Sequence, residues 1–180
     1  MTKSTEIVAT DPESCEEPQL QDFIAMARAG GEVDGAVLED RIRNAKHLIF
    51  LFQGSCLVGI TALKNPLVSY RRSVSAKAGV KLDTSEFPYE LGYVFVLPSA
   101  RDARLSRPLV EAALKASNGA GVFATSRNDN VAMHRTLVRF GFAAVGHSYR
   151  SDRGNHELQL FIRAVAQQGN QPNVQKPHVS

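Results

Sequence analysis

The sequence is poor in the residues and runs that mark several large classes of protein. Its 180 residues include two cysteines, Cys15 and Cys56, which lie far apart and form no C-x-x-C pair, and its five histidines lack metal-ligand spacing. We therefore expect neither a disulfide framework nor a metal site built from thiolates or histidines. No apolar run approaches the roughly 18 residues that span a bilayer, and the first residues lack the apolar core of a secretory signal. We expect a soluble, cytoplasmic protein with no metal and no membrane partner.

Several nucleotide-binding and hydrolase motifs are also missing. The chain contains neither G-x-x-x-x-G-K-[ST] nor G-x-G-x-x-G, and it has no G-x-S-x-G. These absences argue against a P-loop, a dinucleotide-binding unit and an α/β-hydrolase nucleophile. The net charge of +3 is typical of a slightly basic solvated surface. It favours no nucleic-acid partner, and an RNA-directed function stays only as an alternative.

The chain does contain an alternation of helix and strand patterns. Apolar residues at helical spacing predict helices over 18–29, 35–45, 106–119 and 128–141. Strand-prone runs predict a hairpin over 47–65 and strands over 89–97, 121–125, 142–149 and 156–163. Residues 69–88 have no assignable pattern. Composition predicts a flexible N-terminal segment (1–16) and a disordered C-terminal tail (164–180), which leaves one mixed α/β domain over 17–163.

The stretch RDARLSRPL places three arginines where a strand leads into a helix. Arg101, Arg104 and Arg107 recur at every third position. A helix N-terminus exposes unpaired N–H groups and a partial positive charge, and arginine matches the geometry of phosphate oxygens. The pattern indicates a site for a ligand with two or more phosphates, and solvated surface arginines are the alternative.

Two neighbouring stretches, ELGYVFVLPSARDARLSRPLVEAAL and NDNVAMHRTLVRFGFAAVG, resemble the GCN5-related N-acetyltransferase (GNAT) family. That family's first fingerprint is a strand ending in h-x-V-x-P, then [QR]-x-x-G-x-[GA] before a helix. Val96, Pro98 and Arg101 match it. Ser106 is small, as the pattern requires, but Arg104 stands where the family has glycine.

The family's second fingerprint, N-x-x-A-x-x-x-Y-x-x-x-G-F, is matched at both ends. Asn130 matches the asparagine, and the final glycine and phenylalanine are Gly141 and Phe142. Met133 and Leu137 replace the alanine and the tyrosine. The family's usual general acid is that tyrosine, so the departure at Leu137 leaves the acid unassigned.

The resemblance implies a mixed, mostly antiparallel central sheet that is splayed between its fourth and fifth strands and flanked by about four helices. It implies acetyl-CoA as cosubstrate, with its pyrophosphate on the amides of residues 101–107 and its pantetheine arm along the split strand. The residues implied for coenzyme A binding are Val94, Val96, Arg101, Asp102, Ala103, Arg104, Leu105, Ser106, Arg107 and Asn130.

The resemblance also implies catalytic roles. Glu90 has the spacing of the family's strand glutamate and would be the general base, with a surface or ion-paired glutamate as the alternative. The amide of Val96 would bind the oxyanion. His134 and Tyr149 are candidates for the acid that protonates the leaving thiolate, with Tyr93 or water as further options.

The function implied is acetyl-CoA-dependent N-acetylation of a primary amine by direct attack in a ternary complex. The acceptor could be a small molecule, a peptide or protein amine, or an aminoacyl-tRNA. We expect it between the first helices, residues 69–88 and the turn at 149–155. Arg104 and Leu137 motivate the alternative of a non-catalytic module that binds coenzyme A or a partner, and a homodimer is one option for assembly.

Overall fold

The computed structural model of the chain describes residues 4–31 and 35–165. These residues form seven strands and five α-helices, with short 3-10 helices at Pro12–Ser14 and Pro98–Ala103. The strands are β1 Thr5–Thr10, β2 His47–Gln53, β3 Cys56–Lys64, β4 Tyr89–Val96, β5 Val122–Arg127, β6 Ala143–Arg150 and β7 Glu157–Arg163. The α-helices are α1 Glu17–Ala29, α2 Gly35–Arg43, α3 Val68–Ala78, α4 Ser106–Ala116 and α5 Val131–Arg139.

The strands form one sheet in the order β1-β2-β3-β4-β5-β7-β6. Every neighbouring pair is antiparallel except β4 and β5, which are parallel. That parallel pair is joined only at Tyr89–Val122 and Glu90–Phe123, so the two strands separate towards their C-terminal ends. The expected mixed, mostly antiparallel sheet, splayed between its fourth and fifth strands, is therefore confirmed, although it carries five helices within the described residues rather than about four.

Helices cover the sheet and bury its apolar residues in three clusters. In the first cluster, Phe23 of α1 lies edge-on to the sheet residues Phe50 and Tyr93, at ring-centroid distances of 5.4 and 6.2 Å. Leu109 of α4 and Leu137 of α5 belong to the second cluster, and α3 packs in the third. Burial of large side chains at about 25 cal/mol per Å² is the main force holding these layers together.

The first strand was not predicted, because residues 1–16 read as a flexible segment. β1 pairs along its whole length with the edge of β2. Its side chains are mostly exposed, so it has little hydrophobic pattern, and backbone hydrogen bonds to an open sheet edge define it instead. Most of the predicted disordered tail, residues 166–180, lies outside the described residues.

The unassigned segment 69–88 contains α3. Its buried face includes Arg71, whose guanidinium donates to the carbonyl oxygens of Phe87 (2.6 Å) and Pro88 (3.1 Å) and lies over the Phe123 ring. A charged residue on the buried face conceals the apolar stripe that a sequence pattern needs. Burial lowers the pKa of Arg71.

No helix within residues 4–31 and 35–165 is both long and apolar enough to cross a bilayer. Histidine, cysteine, aspartate and glutamate side chains in that part of the chain form no group of three or more that could hold a metal ion.

Candidate active site

The split between β4 and β5 forms a cavity of about 170 Å³. Its walls are residues 91–95 of β4, residues 124–127 of β5, and side chains from α1 and α5 that include Asn130. The Leu97 N–H donates to the Val58 carbonyl of β3 (2.9 Å), and Phe95 lies opposite Ile60. Because backbone groups alternate in direction along an antiparallel strand, the N–H group of Val96 points away from β3, and Val94 lines the cavity.

A bulge in β4 shapes the floor of this cavity. The register with β3 shifts between Ile60 and Ala62, and Tyr93 has φ 55° at that point. The Thr61 hydroxyl donates to the Gly92 carbonyl (2.9 Å) and closes the irregularity. A bulky residue at positive φ is unusual, and such strain is concentrated at functional sites.

The arginine-rich stretch follows the C-terminal end of β4 directly. The Arg101 Nε donates to the Val96 carbonyl (3.2 Å), and its guanidinium lies 5.9 Å from the centroid of the Phe95 ring. Residues 98–103 form a 3-10 helix that leads through Leu105, which is buried, into α4 at Ser106. The backbone of residues 101–107, including Asp102 and Ala103, thus approaches the N-terminus of α4.

Arg104 keeps the backbone path that a glycine would favour. It has φ 53° and ψ 35°, the left-handed conformation, and its N–H donates to the Arg101 carbonyl (3.3 Å). The conformation costs a non-glycine residue about 1 kcal/mol. Glycine adopts this conformation without that cost, so Arg104 occupies a backbone position that favours glycine.

Glu90 is buried, with 3% of its surface exposed. Its Oε1 accepts a hydrogen bond from the Tyr70 hydroxyl (2.8 Å), and its Oε2 lies 2.8 Å from Lys64 Nζ. Lys64 is its direct neighbour across the β3–β4 pairing. The alternative of a surface glutamate is therefore wrong, and the ion-pair partner is a lysine rather than an arginine.

Two buried phenols lie close to this carboxylate. Burial, together with the charge of Glu90, raises the pKa of Tyr70 well above its usual 10, and the Tyr70 hydroxyl lies 3.4 Å from Oγ1 of Thr125 in the cavity wall. Burial and then the charges of Glu90 and Asp152 raise the pKa of Tyr149 to about 12. The Tyr149 hydroxyl is buried and has no hydrogen-bond partner among the described residues. Both phenols are protonated at neutral pH.

The α5 candidates have structural contacts. The His134 Nε2 is 2.9 Å from the Arg127 carbonyl, which fixes that nitrogen as the donor, and the ring contacts Phe161 at 4.8 Å between centroids. The Asn130 Oδ1 caps the helix by accepting from the Met133 N–H (3.1 Å), so its NH₂ group is the part that a ligand could use. Leu137, at the position of the family's tyrosine, is buried in the core.

Of the residues implied for coenzyme A binding, Val94 and Asn130 line the cavity, whereas Val96 and Arg101 contact each other outside its wall. Glu90 lies beside that cleft on the α3 side of the sheet, outside the cavity wall itself. Tyr70 and Lys64 were missed by sequence reasoning. Tyr70 falls in the segment without a pattern, whereas Lys64, at the end of a predicted strand, could have been found by aligning the hairpin against the next strand.

No protein-family model matches the chain, and no curated protein matches its sequence. Solved structures match its fold. An acyl-CoA N-acyltransferase from Pseudomonas aeruginosa is 16% identical, with a TM-score of 0.63, over 89% of this chain and 100% of that one. Arabidopsis thaliana NAA60, in complex with a bisubstrate analogue, is 14% identical, with a TM-score of 0.65, over 89% and 100%. A Desulfovibrio desulfuricans protein assigned to the GNAT family of acetyltransferases is 13% identical, with a TM-score of 0.62, over 91% and 100%.

Sequence identities this low speak for the fold and not for the activity. TM-scores of 0.63 and 0.65 over 89% of this chain and all of each matched chain show that the overall fold is shared. The chain therefore has the fold of the GCN5-related N-acetyltransferases.

Proposed function

We propose that the protein is an acetyl-CoA-dependent N-acetyltransferase that moves an acetyl group to a primary amine by direct attack in a ternary complex. The observation that carries the proposal is the splayed β4–β5 pair. Val94 lines the cavity between these two strands, and the chain continues from the end of β4 into the arginine-rich N-terminus of α4. A peptide-like arm with a phosphorylated end fits such an edge, because strand addition satisfies the arm's amides.

The residues present fit coenzyme A in charge and shape. The N-terminus of α4 and the arginines before it would hold the pyrophosphate, and the NH₂ group of Asn130 would donate to the arm. The Arg101 Nε donates to the Val96 carbonyl (3.2 Å), and it would exchange this hydrogen bond for one to a phosphate oxygen. The Val96 N–H would donate to the carbonyl oxygen of the thioester and stabilise the negative charge that this oxygen gains when the amine attacks.

The chemistry needs a base and an acid. An alkylamine with a pKa near 10 is protonated at neutral pH and must lose a proton before attack. Glu90, buried and beside the cleft, would accept that proton, directly or through the Tyr70 hydroxyl. The amine nitrogen then forms a bond to the carbonyl carbon, the C–S bond breaks, and the thiolate takes a proton from the acid. The nitrogen loses its second proton to give the amide, and that proton restores the acid. His134 and Tyr149 stay the candidate donors, and the Tyr149 hydroxyl has no hydrogen-bond partner among the described residues.

The test begins with the donor. Replacing Arg101, Arg104 and Arg107 with alanine should weaken acetyl-CoA binding more than tenfold in a calorimetric titration, because three charge-assisted contacts are lost. Lys115→Ala, at the other end of α4 and 77% exposed, should leave binding unchanged. Equal affinities in all three proteins would contradict the assignment of the loop.

A turnover assay then distinguishes an enzyme from the alternative function, a non-catalytic module that binds coenzyme A or a partner. The buried leucine at position 137 motivates that alternative. Thiol release from acetyl-CoA should be seen across a panel of small amines, lysine and N-terminal peptides, and an aminoacyl-tRNA. Binding without release on any acceptor would favour the module. A cytoplasmic location and a homodimer stay predictions.

A further inference from the structure

Lys64 places a primary ammonium in a cage of aromatic rings and one carboxylate. Its Nζ lies 2.8 Å from Oε2 of Glu90, 4.8 Å from the centroid of the Tyr93 ring and 5.6 Å from that of Tyr70. An alkylammonium is attracted by the faces of such rings and by the buried charge. The cage therefore already binds the chemical group that an amine acceptor carries.

The cage adjoins the cleft assigned to the thioester. Gly92 and Tyr93 line the cavity, and the Lys64 stem lies directly across Gly92. A Cβ built on Gly92 would be 2.5 Å from Lys64 Cδ and 3.3 Å from its Nζ. The ammonium is therefore held within one residue of the cavity wall, and the groove above Gly92 takes an unbranched alkyl chain.

The Lys64 side chain is more exposed to solvent than the Glu90 carboxylate with which it pairs. The side chain of Lys64 is 18% exposed, whereas that of Glu90 is 4% exposed. A second amine coming from solvent would meet the Glu90 carboxylate by taking the place of the lysine ammonium.

Oε2 of Glu90 is a polar atom of the cage with unused hydrogen-bonding capacity. It has no aligned hydrogen bond among the described residues, and Lys64 Nζ lies 2.8 Å away as its ion-pair partner. Buried polar atoms are hydrogen-bonded in the large majority of proteins. A ligand ammonium that donates to this oxygen would satisfy it.

We propose that Lys64 Nζ occupies the acceptor subsite when no acceptor is present, and that the acceptor is a linear alkyl primary amine whose ammonium exchanges with it. This rests on the proposed acetyltransfer. The incoming ammonium gives one proton to Glu90, and the neutral amine that results attacks the thioester carbonyl carbon. The C–N bond forms, the C–S bond breaks, and the second proton that the nitrogen loses ends on the leaving thiolate. Glu90 releases its proton to solvent when the amide leaves.

The binding experiment uses n-butylammonium without acetyl-CoA, so that it does not depend on turnover. In Lys64→Ala the emptied groove should bind n-butylammonium at least tenfold more tightly than the native chain does, measured by NMR titration. The branched tert-butylammonium should gain less than threefold. Lys115→Ala is the control and should match the native chain. Glu90→Gln added to Lys64→Ala should remove the gain.

The native chain supplies a second measurement if Lys64→Ala does not fold. With saturating acetyl-CoA, kcat/KM should be at least tenfold higher for n-butylamine than for tert-butylamine, whose basicity is similar. A gain in Lys64→Ala shared equally by both amines, or equal kcat/KM values in the native chain, would overturn the proposal. Absence of thiol release with every amine, together with the binding gain, would instead contradict the acetyltransferase function and leave the ammonium site standing.

Discussion

Glu90 is the residue on which most of the site's electrostatics depends. A buried carboxylate is costly unless it is paired and hydrogen-bonded, and here Lys64 and Tyr70 supply those contacts at 2.8 Å each. Burial is the larger cause of the raised pKa of both Tyr70 and Tyr149, and the Glu90 charge adds to it. The cluster therefore combines a group able to accept a proton with phenols that stay protonated.

Glu90→Gln should lower kcat/KM for a good acceptor by about 10²- to 10⁴-fold, the usual range for loss of a general base. Acetyl-CoA affinity should stay within twofold, because Glu90 lies outside the cavity wall. Thiol-release kinetics and a calorimetric titration measure the two quantities. Glu111→Gln, 54% exposed on α4, is the matched control. Turnover of Glu90→Gln within twofold of the native value would show that another group takes the proton.

At the scale of elements, the strand–turn–helix over residues 89–116 was predictable because local chemistry decides it. Aromatic and β-branched residues favour β4, and Pro108 is tolerated in the first turn of α4. By contrast, α3 was hidden by Arg71 on its buried face and β1 by its mostly exposed side chains.

The candidate site was predictable only in part, because local residue patterns decide some of its features and long-range packing decides the others. The cleft follows from motifs close together in sequence, whereas the contacts of Glu90 come from β3 and α3. They depend on the β3–β4 register and on a helix with no readable pattern. Such long-range placement is set by packing, which local residue patterns do not encode.

The packing of β6 against α3 depends on Gly146. A Cβ there would lie 2.1 Å from the Ala78 carbonyl oxygen, and φ is +68°. Gly146→Ala should lower the free energy of unfolding by about 2–4 kcal/mol, from left-handed strain plus overpacking. Gly54→Ala has a similar φ of +62° but no atom within 4 Å, so it should cost about 1 kcal/mol. Urea denaturation measures both, and equal losses would contradict the packing explanation.

For the whole molecule, the two parts of the candidate site lie at different places on the sheet. The cavity lies between β4 and β5, while the polar cluster of Glu90, Tyr70 and Lys64 lies on the α3 side. β6 packs against α3, and its pairing with β7 is irregular between Val145 and Tyr149. In the proposed acetyltransfer, the donor and the acceptor would therefore approach β4 from different directions.

The same buried cluster should make the fold sensitive to alkali. In the unfolded chain tyrosines lose their protons near pH 10. In the folded chain, burial and the charge of Glu90 raise the pKa of Tyr149 to about 12. The same two causes raise the pKa of Tyr70 well above 10. Between about pH 10 and 12 the folded state thus holds more protons than the unfolded state, so the free energy of unfolding falls as the pH rises. Below pH 10 this contribution is fully present.

Tyr149→Phe isolates one of the two phenols. At pH 7 its unfolding free energy should be close to the native value, because the Tyr149 hydroxyl has no hydrogen-bond partner among the described residues and its removal leaves no described partner unpaired. Above pH 10 the variant should lose stability less steeply, since one proton fewer separates the folded and unfolded states. Urea denaturation at pH 7, 9, 10 and 11 measures the difference. Parallel curves for the two proteins would mean that the Tyr149 phenol titrates alike in both states and is not held protonated beside Glu90.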